Sequence, residues 1–342
     1  MGDARAILVT GGAGYIGSFV VRACVRSGMP PVVLDDASTG HLEAVRRAGS
    51  DVAAVRGHVG DQALVRALVT EHRITACVHL AGSSRVGEST GNPLKYFQNN
   101  VAEGVGLLEA LLGAGVRQFV FSSSAAVYGP PAQVPIVEDA ALRPISPYGD
   151  TKMVLERVLE RLHEAHGLRY AALRYFNAAG ADPESGLGED HDPETHLIPL
   201  AVDAAMGQRP PLTVFGDDYP TPDGTCIRDY VDVRDVATAH VAALAALEGG
   251  PSLGAINLGT GRGHSVMEVL RAVTAGVGRP VPHSVGPRRA GDPPVLVASG
   301  ERARTVLGWA PRYALADSVA AAAAWRRAWP RGYPAHTGAA ES

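Results

Sequence analysis

Tyr148 and Lys152 stand four residues apart in Ser146-Pro-Tyr-Gly-Asp-Thr-Lys152. Four residues make about one helical turn, so on a helix both side chains reach one face. An ammonium beside a phenol favours the phenolate and lowers the tyrosine pKa from about 10, giving a usable base for a sugar or alcohol hydroxyl. Upstream, Phe121-Ser-Ser-Ser124 closes an apolar run, where the Ser124 hydroxyl can share that substrate oxygen. Near the start, Thr10-Gly-Gly-Ala-Gly-Tyr-Ile-Gly17 sets glycines at 11, 14 and 17 between a strand-like and a helix-like segment. Gly11 permits a tight turn, Gly14 lets backbone approach a pyrophosphate, and Gly17 allows close helix–sheet packing. The helix N-terminus that follows offers free N–H groups to the same anion. Asp35 ends the next strand, where a carboxylate binds adenosine ribose hydroxyls. Asp36, Ala37 and Ser38 follow it, with no arginine for a 2′-phosphate, so the pattern predicts NAD rather than NADP.

These groups need elements to hold them. Strand-like runs at 6–10, 31–34, 52–55, 77–80, 118–121 and 170–175 alternate with helical patterns at 14–27, 62–71, 93–112 and 148–166. Such alternation implies a parallel sheet with right-handed crossovers. The predicted class is α/β, a Rossmann-like doubly wound parallel sheet with a smaller mixed α/β C-terminal substrate domain. After Tyr175 the texture changes. Residues 180–196 lack periodicity and read as a loop or joint, and helical patterns recur at 233–248, 265–277 and 315–325. The expected organisation is an NAD-binding domain over 1–177, with a return of the chain around 228–260. A mainly substrate-binding domain would span 178–335 and a tail 336–342, with ligands in the cleft between the domains.

The chain has 342 residues, and 31 Lys+Arg against 35 Asp+Glu give a formal charge of −4. An apolar share of 46% with 19% charged residues is ordinary globular composition. The near-neutral balance gives no basic footprint for nucleic acid, and no apolar run reaches the roughly 20 residues of a membrane helix. The first residues lead straight into Ile7-Leu-Val9 without a secretory leader pattern, so a cytoplasmic location is expected. Three scattered cysteines, Cys24, Cys77 and Cys226, exclude a disulfide framework and a zinc knuckle, and no metal site is expected. Lysine occurs only at Lys95 and Lys152, which makes a lysine at a functional spacing more telling.

Further motifs carry a resemblance: Ser-Ser-Ser-Ala-Ala-Val-Tyr-Gly (122–129), Leu-Arg-Tyr-Phe-Asn (173–177), the stretch from Phe215 to Tyr230, and Pro-Arg-Arg-Ala-Gly-Asp (287–292). From about Ile7 to Pro334 the chain resembles the extended short-chain dehydrogenase/reductases, and within them most closely the UDP-galactose 4-epimerases. The related sugar-nucleotide dehydratases carry an Asp-Glu pair where this chain has Ala125-Ala126, so dehydration is disfavoured. The resemblance implies an isomerase. NAD would take a hydride from carbon 4 of a UDP-hexose, the 4-keto sugar would rotate, and the hydride would return to its other face.

By position, Tyr148 would be the base, Lys152 its tuner and a nicotinamide-ribose contact, and Ser124 the hydroxyl partner. The dinucleotide would lie against Gly11, Gly14, Tyr15, Ile16, Gly17, Asp35, His58, Val59, Leu80, Ala81, Gly82, Asn99, Ser122 and Phe176. Asn177, His196, Leu197, Phe215, Arg228, Arg289, Asp292 and Leu296 match positions that hold the uridine diphosphate or its sugar. Two arginines suit a diphosphate, because a guanidinium forms paired charge-assisted bonds. A homodimer is implied, through helices such as 93–112 and 147–166.

Departures from the family pattern are His58 in place of an aspartate and Ser84 in place of a lysine, with Arg85 as a candidate substitute. His196 stands where asparagine is frequent. Leu296 occupies the position where tyrosine restricts relatives to plain hexoses, which predicts some tolerance of a 2-N-acetyl group. These departures motivate an alternative, a 4-epimerase of a modified NDP-sugar such as an N-acetylhexosamine, a uronic acid or a secondary-metabolite sugar. A cofactor-bound sensor without turnover is a third reading, opposed by the intact Ser124, Tyr148 and Lys152.

Overall fold

The computed structural model describes residues 5–289 and 291–334, so the expected tail at 336–342 lies outside the described residues. The first half alternates β1 (Ala6–Thr10), α1 (Tyr15–Arg26), β2 (Pro31–Asp35), α2 (Leu42–Ala48), β3 (Ala53–Arg56), α3 (Gln62–His72) and β4 (Ile74–His79). It continues through α4 (Val86–Gly91), α5 (Pro93–Tyr96), a π-helical turn (Phe97–Ala102), α6 (Glu103–Gly113), β5 (Gln118–Ser124), α7 (Pro147–His166) and β6 (Arg169–Tyr175). The strands β1, β2, β5 and β6 are buried almost throughout, which is why they read as apolar runs without alternation. The helix expected over 93–112 is instead divided by the π turn, which admits one extra residue and re-aims Asn99 and Asn100.

Later elements are β7 (Asn177–Ala179), α8 (Leu197–Ala205), β8 (Leu212–Phe215), β9 (Ile227–Asp232), α9 (Val233–Leu247), β10 (Gly254–Leu258), β11 (Gly263–Ser265) and α10 (Val266–Val277). They end with β12 (His283–Gly286), β13 (Val295–Leu296), α11 (Glu301–Leu307) and α12 (Leu315–Ala328). The main sheet has seven parallel strands in the order β10-β6-β5-β4-β1-β2-β3. This is the doubly wound order, with its switch point between β1 and β4. One apolar core, including Val20, Val21 and Val236 from α1 and α9, covers one sheet face. A second, including Val65, Leu107 and Leu159 from α3, α6 and α7, covers the other. Strands β7, β9, β11 and β13 form a smaller sheet, and β8 pairs with β12. A third core joins α8, α10 and α12 beside them.

Candidate active site

The glycine loop leaves β1 at the switch point. Gly11 has φ +71°, and a side chain there would strike the backbone of Leu80 and Ala81 at the end of β4. A Cβ on Gly17 would fall on the Gly11 carbonyl oxygen, so this glycine serves the loop's own turn rather than helix–sheet packing. Gly14 precedes α1 without a side-chain cap, and no acidic residue occupies the first turn of α1. The uncapped N–H groups and the side-chain-free backbone therefore fit a diphosphate. Asp35 accepts from the N–H of Ala13 (2.9 Å) and of Ala37 (2.8 Å). Burial pushes its carboxyl pKa up while those N–H groups pull it back, and spare lone pairs remain for ribose hydroxyls. Asn99 and Asn100 both accept from the Ser83 N–H, at 2.9 and 2.8 Å, and so fix the loop after β4. Tyr15 and Ile16 pack against the first core and Val59 is buried in the second. His58 is exposed, 3.7 Å from Asp36. The Arg85 guanidinium pairs with Glu88 at 3.1 Å instead of turning toward Ser84.

Tyr148 and Lys152 lie in the first turns of α7, whose cap Ser146 accepts from the Gly149 N–H. Both side chains are buried. Their expected electrostatic coupling differs from what the structure holds. Lys152 Nζ donates to the Ser122 carbonyl at 2.9 Å and lies 4.9 Å from the Phe121 ring and 5.7 Å from the Tyr148 ring. Burial raises the Tyr148 phenol above its ordinary pKa, and the counterweight is a hydrogen bond with Ser124 rather than the ammonium. Burial also lowers Lys152 to about 8, against the pull of Glu156 one turn further along α7. The lysine is thus anchored to a neutral carbonyl, which leaves its positive charge in place 5.7 Å from the Tyr148 ring. Ser124 ends β5 and caps a short 3₁₀ turn, Ala125–Val127, by accepting from the Ala126 N–H. The Ser122 hydroxyl meets Tyr175 across the β5–β6 pair.

On the other side, β9 and β13 run parallel with Arg228 beside Leu296. Leu296 and Phe176 pack against the small cluster of Ala125, Val127, Tyr128 and Ile136 that follows Ser124 in the chain. Arg228 is ion-paired with Asp292, and the Arg289 guanidinium stacks 4.2 Å above the exposed Phe215 ring. Asn177 starts β7 and pairs with Tyr230 of β9. Leu197 opens α8. The family model for the NAD dependent epimerase/dehydratase family matches residues 7–259.

The chain belongs to that family. UDP-glucose 4-epimerase of Halalkalibacterium halodurans is 46% identical over 329 residues, covering 96% of this chain and 97% of the relative. UDP-glucose 4-epimerase from Brucella ovis, solved in complex with NAD, superposes with a TM-score of 0.90 at 47% identity, over 94% of this chain and 98% of that one. The Stenotrophomonas maltophila enzyme, solved with NAD and formylated UDP-arabinopyranose, gives 0.92 at 40% identity, over 96% and 99%.

Within this member of the epimerase/dehydratase family, a buried network backs the site that the sequence reading did not include. Glu156 receives the Ser123 hydroxyl and is ion-paired with Arg174, which also donates to Tyr128 Oη at 2.8 Å. Tyr128 in turn donates to Asn257 at 2.7 Å. The one visible signal was Glu156 lying four residues after Lys152 in α7. His79 Nδ1 meets Thr10 Oγ1 at 2.7 Å, and burial, helped by the Lys152 charge, lowers the His79 pKa to about 3. The His196 imidazole contacts Glu189 and Glu194, and with His191 these residues form a tight group.

Proposed function

We propose that the chain is an NAD-dependent 4-epimerase acting on a UDP-hexose, with UDP-galactose and UDP-glucose as its substrate pair. The observation that carries this reading is the grouping of Ser124, Tyr148 and Lys152 at the ends of β5 and α7, beside a Gly11–Gly17 loop suited to a dinucleotide. The family relatives support the same activity. NAD, held by Gly11, Gly14, Gly17, Asp35, Asn99 and Lys152, supplies the hydride acceptor and donor. Ser124 hydrogen-bonds the sugar hydroxyl, and Tyr148, in the phenolate form that the nearby Lys152 ammonium and a bound oxidised nicotinamide would favour against the cost of burial, takes its proton and returns it after the sugar has turned. Ser124 stays within reach of Tyr148, whose phenol is itself buried.

Arg228 and Arg289 hold the diphosphate, with Asn177, Phe215 and Asp292 around the nucleotide. The exposed apolar residues Leu94, Phe97 and Val105 along α5, the π turn and α6 support a homodimer face there. Among the described residues no helix is long and apolar enough to cross a membrane.

Leu296 favours a second reading at the level of the sugar. Packed against the Ala125–Ile136 cluster, it is smaller than tyrosine and carries no hydroxyl, which favours acceptance of a modified hexose. The deciding experiment incubates purified protein with UDP-galactose without added NAD and separates the products. UDP-glucose at equilibrium is the expected result. Silence with UDP-galactose both without and with added NAD would overturn the plain-hexose assignment.

A further inference from the structure

We propose that Glu189, His191, Glu194 and His196 form a closed site for one divalent ion of the zinc type. Each offers one ligand atom, and the four atoms lie within 4.8 Å of one another. His196 Nδ1 stands 2.7 Å from Glu189 Oε1 and 3.0 Å from Glu194 Oε1. His191 Nδ1 stands 3.3 Å from Glu189 Oε1 and 3.5 Å from Glu194 Oε2. A tetrahedron with arms of about 2.0–2.1 Å has edges of about 3.3–3.4 Å. The nitrogen–oxygen separations of 2.7–3.5 Å scatter about that edge, those to Glu194 being to its two different oxygens.

Without an ion, the two carboxylates pair with the two imidazoles across contacts that crowd onto the Nδ1 atoms. An imidazole nitrogen has one proton to give, yet each Nδ1 faces oxygens from two carboxylates. His191 Nδ1 is sealed from solvent, and its carboxylate neighbours at 3.3 and 3.5 Å hold it as ion pairs rather than through a well-formed hydrogen bond. A central cation satisfies all four atoms together, and two carboxylates balance its double charge. Two imidazoles with two carboxylates select a borderline ion such as zinc over magnesium or calcium, which prefer oxygen alone. Four protein ligands leave no open position, so the ion is structural rather than catalytic.

The surroundings are prepared for such a role. Glu194 Oε1 accepts from the N–H groups of Thr195 (2.6 Å) and His196 (2.8 Å), which holds its carboxylate in place. The His191 ring lies edge-on to Tyr15 at 6.1 Å, and Tyr15 Oη donates to the Gly180 carbonyl at 2.7 Å. The ion would therefore pin the aperiodic 180–196 segment between the glycine loop and the start of α8.

The test uses the full chain, stripped with a chelator and then titrated with Zn2+ against a chromogenic competitor. Uptake of about one equivalent is expected, with a rise in Tm; Co2+ in its place should give the visible absorption of a four-coordinate ion. A His191→Gln/His196→Gln variant should lose that uptake, whereas His283→Gln, in β12, should retain it. The wild-type titration stands without the variants should they fold poorly. Uptake below about a tenth of an equivalent by the wild type, with Tm unmoved by zinc, would overturn the site. So would full uptake by the double variant, or a preference for Mg2+ or Ca2+ over Zn2+.

Discussion

Two buried histidines set an acid limit on this fold. His79 is held neutral near pKa 3 by burial and the Lys152 charge, and His240 near 4 by burial, eased by the Val236 carbonyl. In the unfolded chain both return to about 6.5. Because the folded values are depressed, the native state binds fewer protons below pH 6.5. Stability is therefore fully present above that pH and is lost as pH falls toward 4 and 3. At pH 4.5 the unfolded chain has gained nearly two protons that the native state refuses. At about 1.4 kcal/mol per pKa unit, two units below 6.5 cost roughly 2–3 kcal/mol for each histidine, or about 5 kcal/mol together. Urea unfolding at pH 7.5, 5.5 and 4.5 measures the loss in the wild type, in His79→Gln and in His240→Gln. Each variant starts less stable, His79→Gln through its lost contact with Thr10 Oγ1. Each should then lose roughly 2–3 kcal/mol less than the wild type between pH 7.5 and 4.5. Carboxylate titration is common to all three proteins and cancels in the comparison. Parallel pH profiles for wild type and variants would refute the reasoning.

Tyr148→Phe removes the proton acceptor while leaving the ring in its buried place, so kcat should fall by about 10²–10⁴ with thermal stability nearly unchanged; full turnover would exclude Tyr148 as the base. Glu156→Gln leaves the buried Arg174 guanidinium without its counter-charge and should cost about 3–5 kcal/mol in urea unfolding. Adding Arg174→Met should restore much of that loss, and strict additivity of the two changes would deny the coupling. Leu296→Tyr should lower kcat/KM for a UDP-N-acetylhexosamine more than for UDP-galactose, by about tenfold as for a bulk change in a pocket. An equal effect on both would place Leu296 away from the 2-position.

The sheet was legible because parallel strands buried on both faces leave uninterrupted apolar runs closed by glycine, as at Ala6–Thr10 and Pro31–Asp35. The glycine loop and the Tyr148–Lys152 pair were legible because their chemistry is local, within one turn or one helix. Where Lys152 sends its ammonium was not, since the Ser122 carbonyl reaches it from β5, 30 residues away in sequence. The Glu156–Arg174 pair likewise joins α7 to β6 and leaves no periodic trace. The π turn escaped notice because apolar spacing at 93–112 cannot reveal one extra residue per turn. The Glu189–His196 group was in plain sight, yet a segment without periodicity gives no sign of which way its side chains face.

The shortage of lysine has a practical side. Lys95 is largely exposed and pairs with Glu88 at 2.6 Å, whereas Lys152 is buried with 5% of its surface accessible. Among lysine amines, then, an acylating reagent meets Lys95 on the surface, while Lys152 is shielded by the residues packed around it. Modification at Lys95 is a labelling event with a single address. Modification at Lys152 reports access to the site, and a bound dinucleotide should slow it.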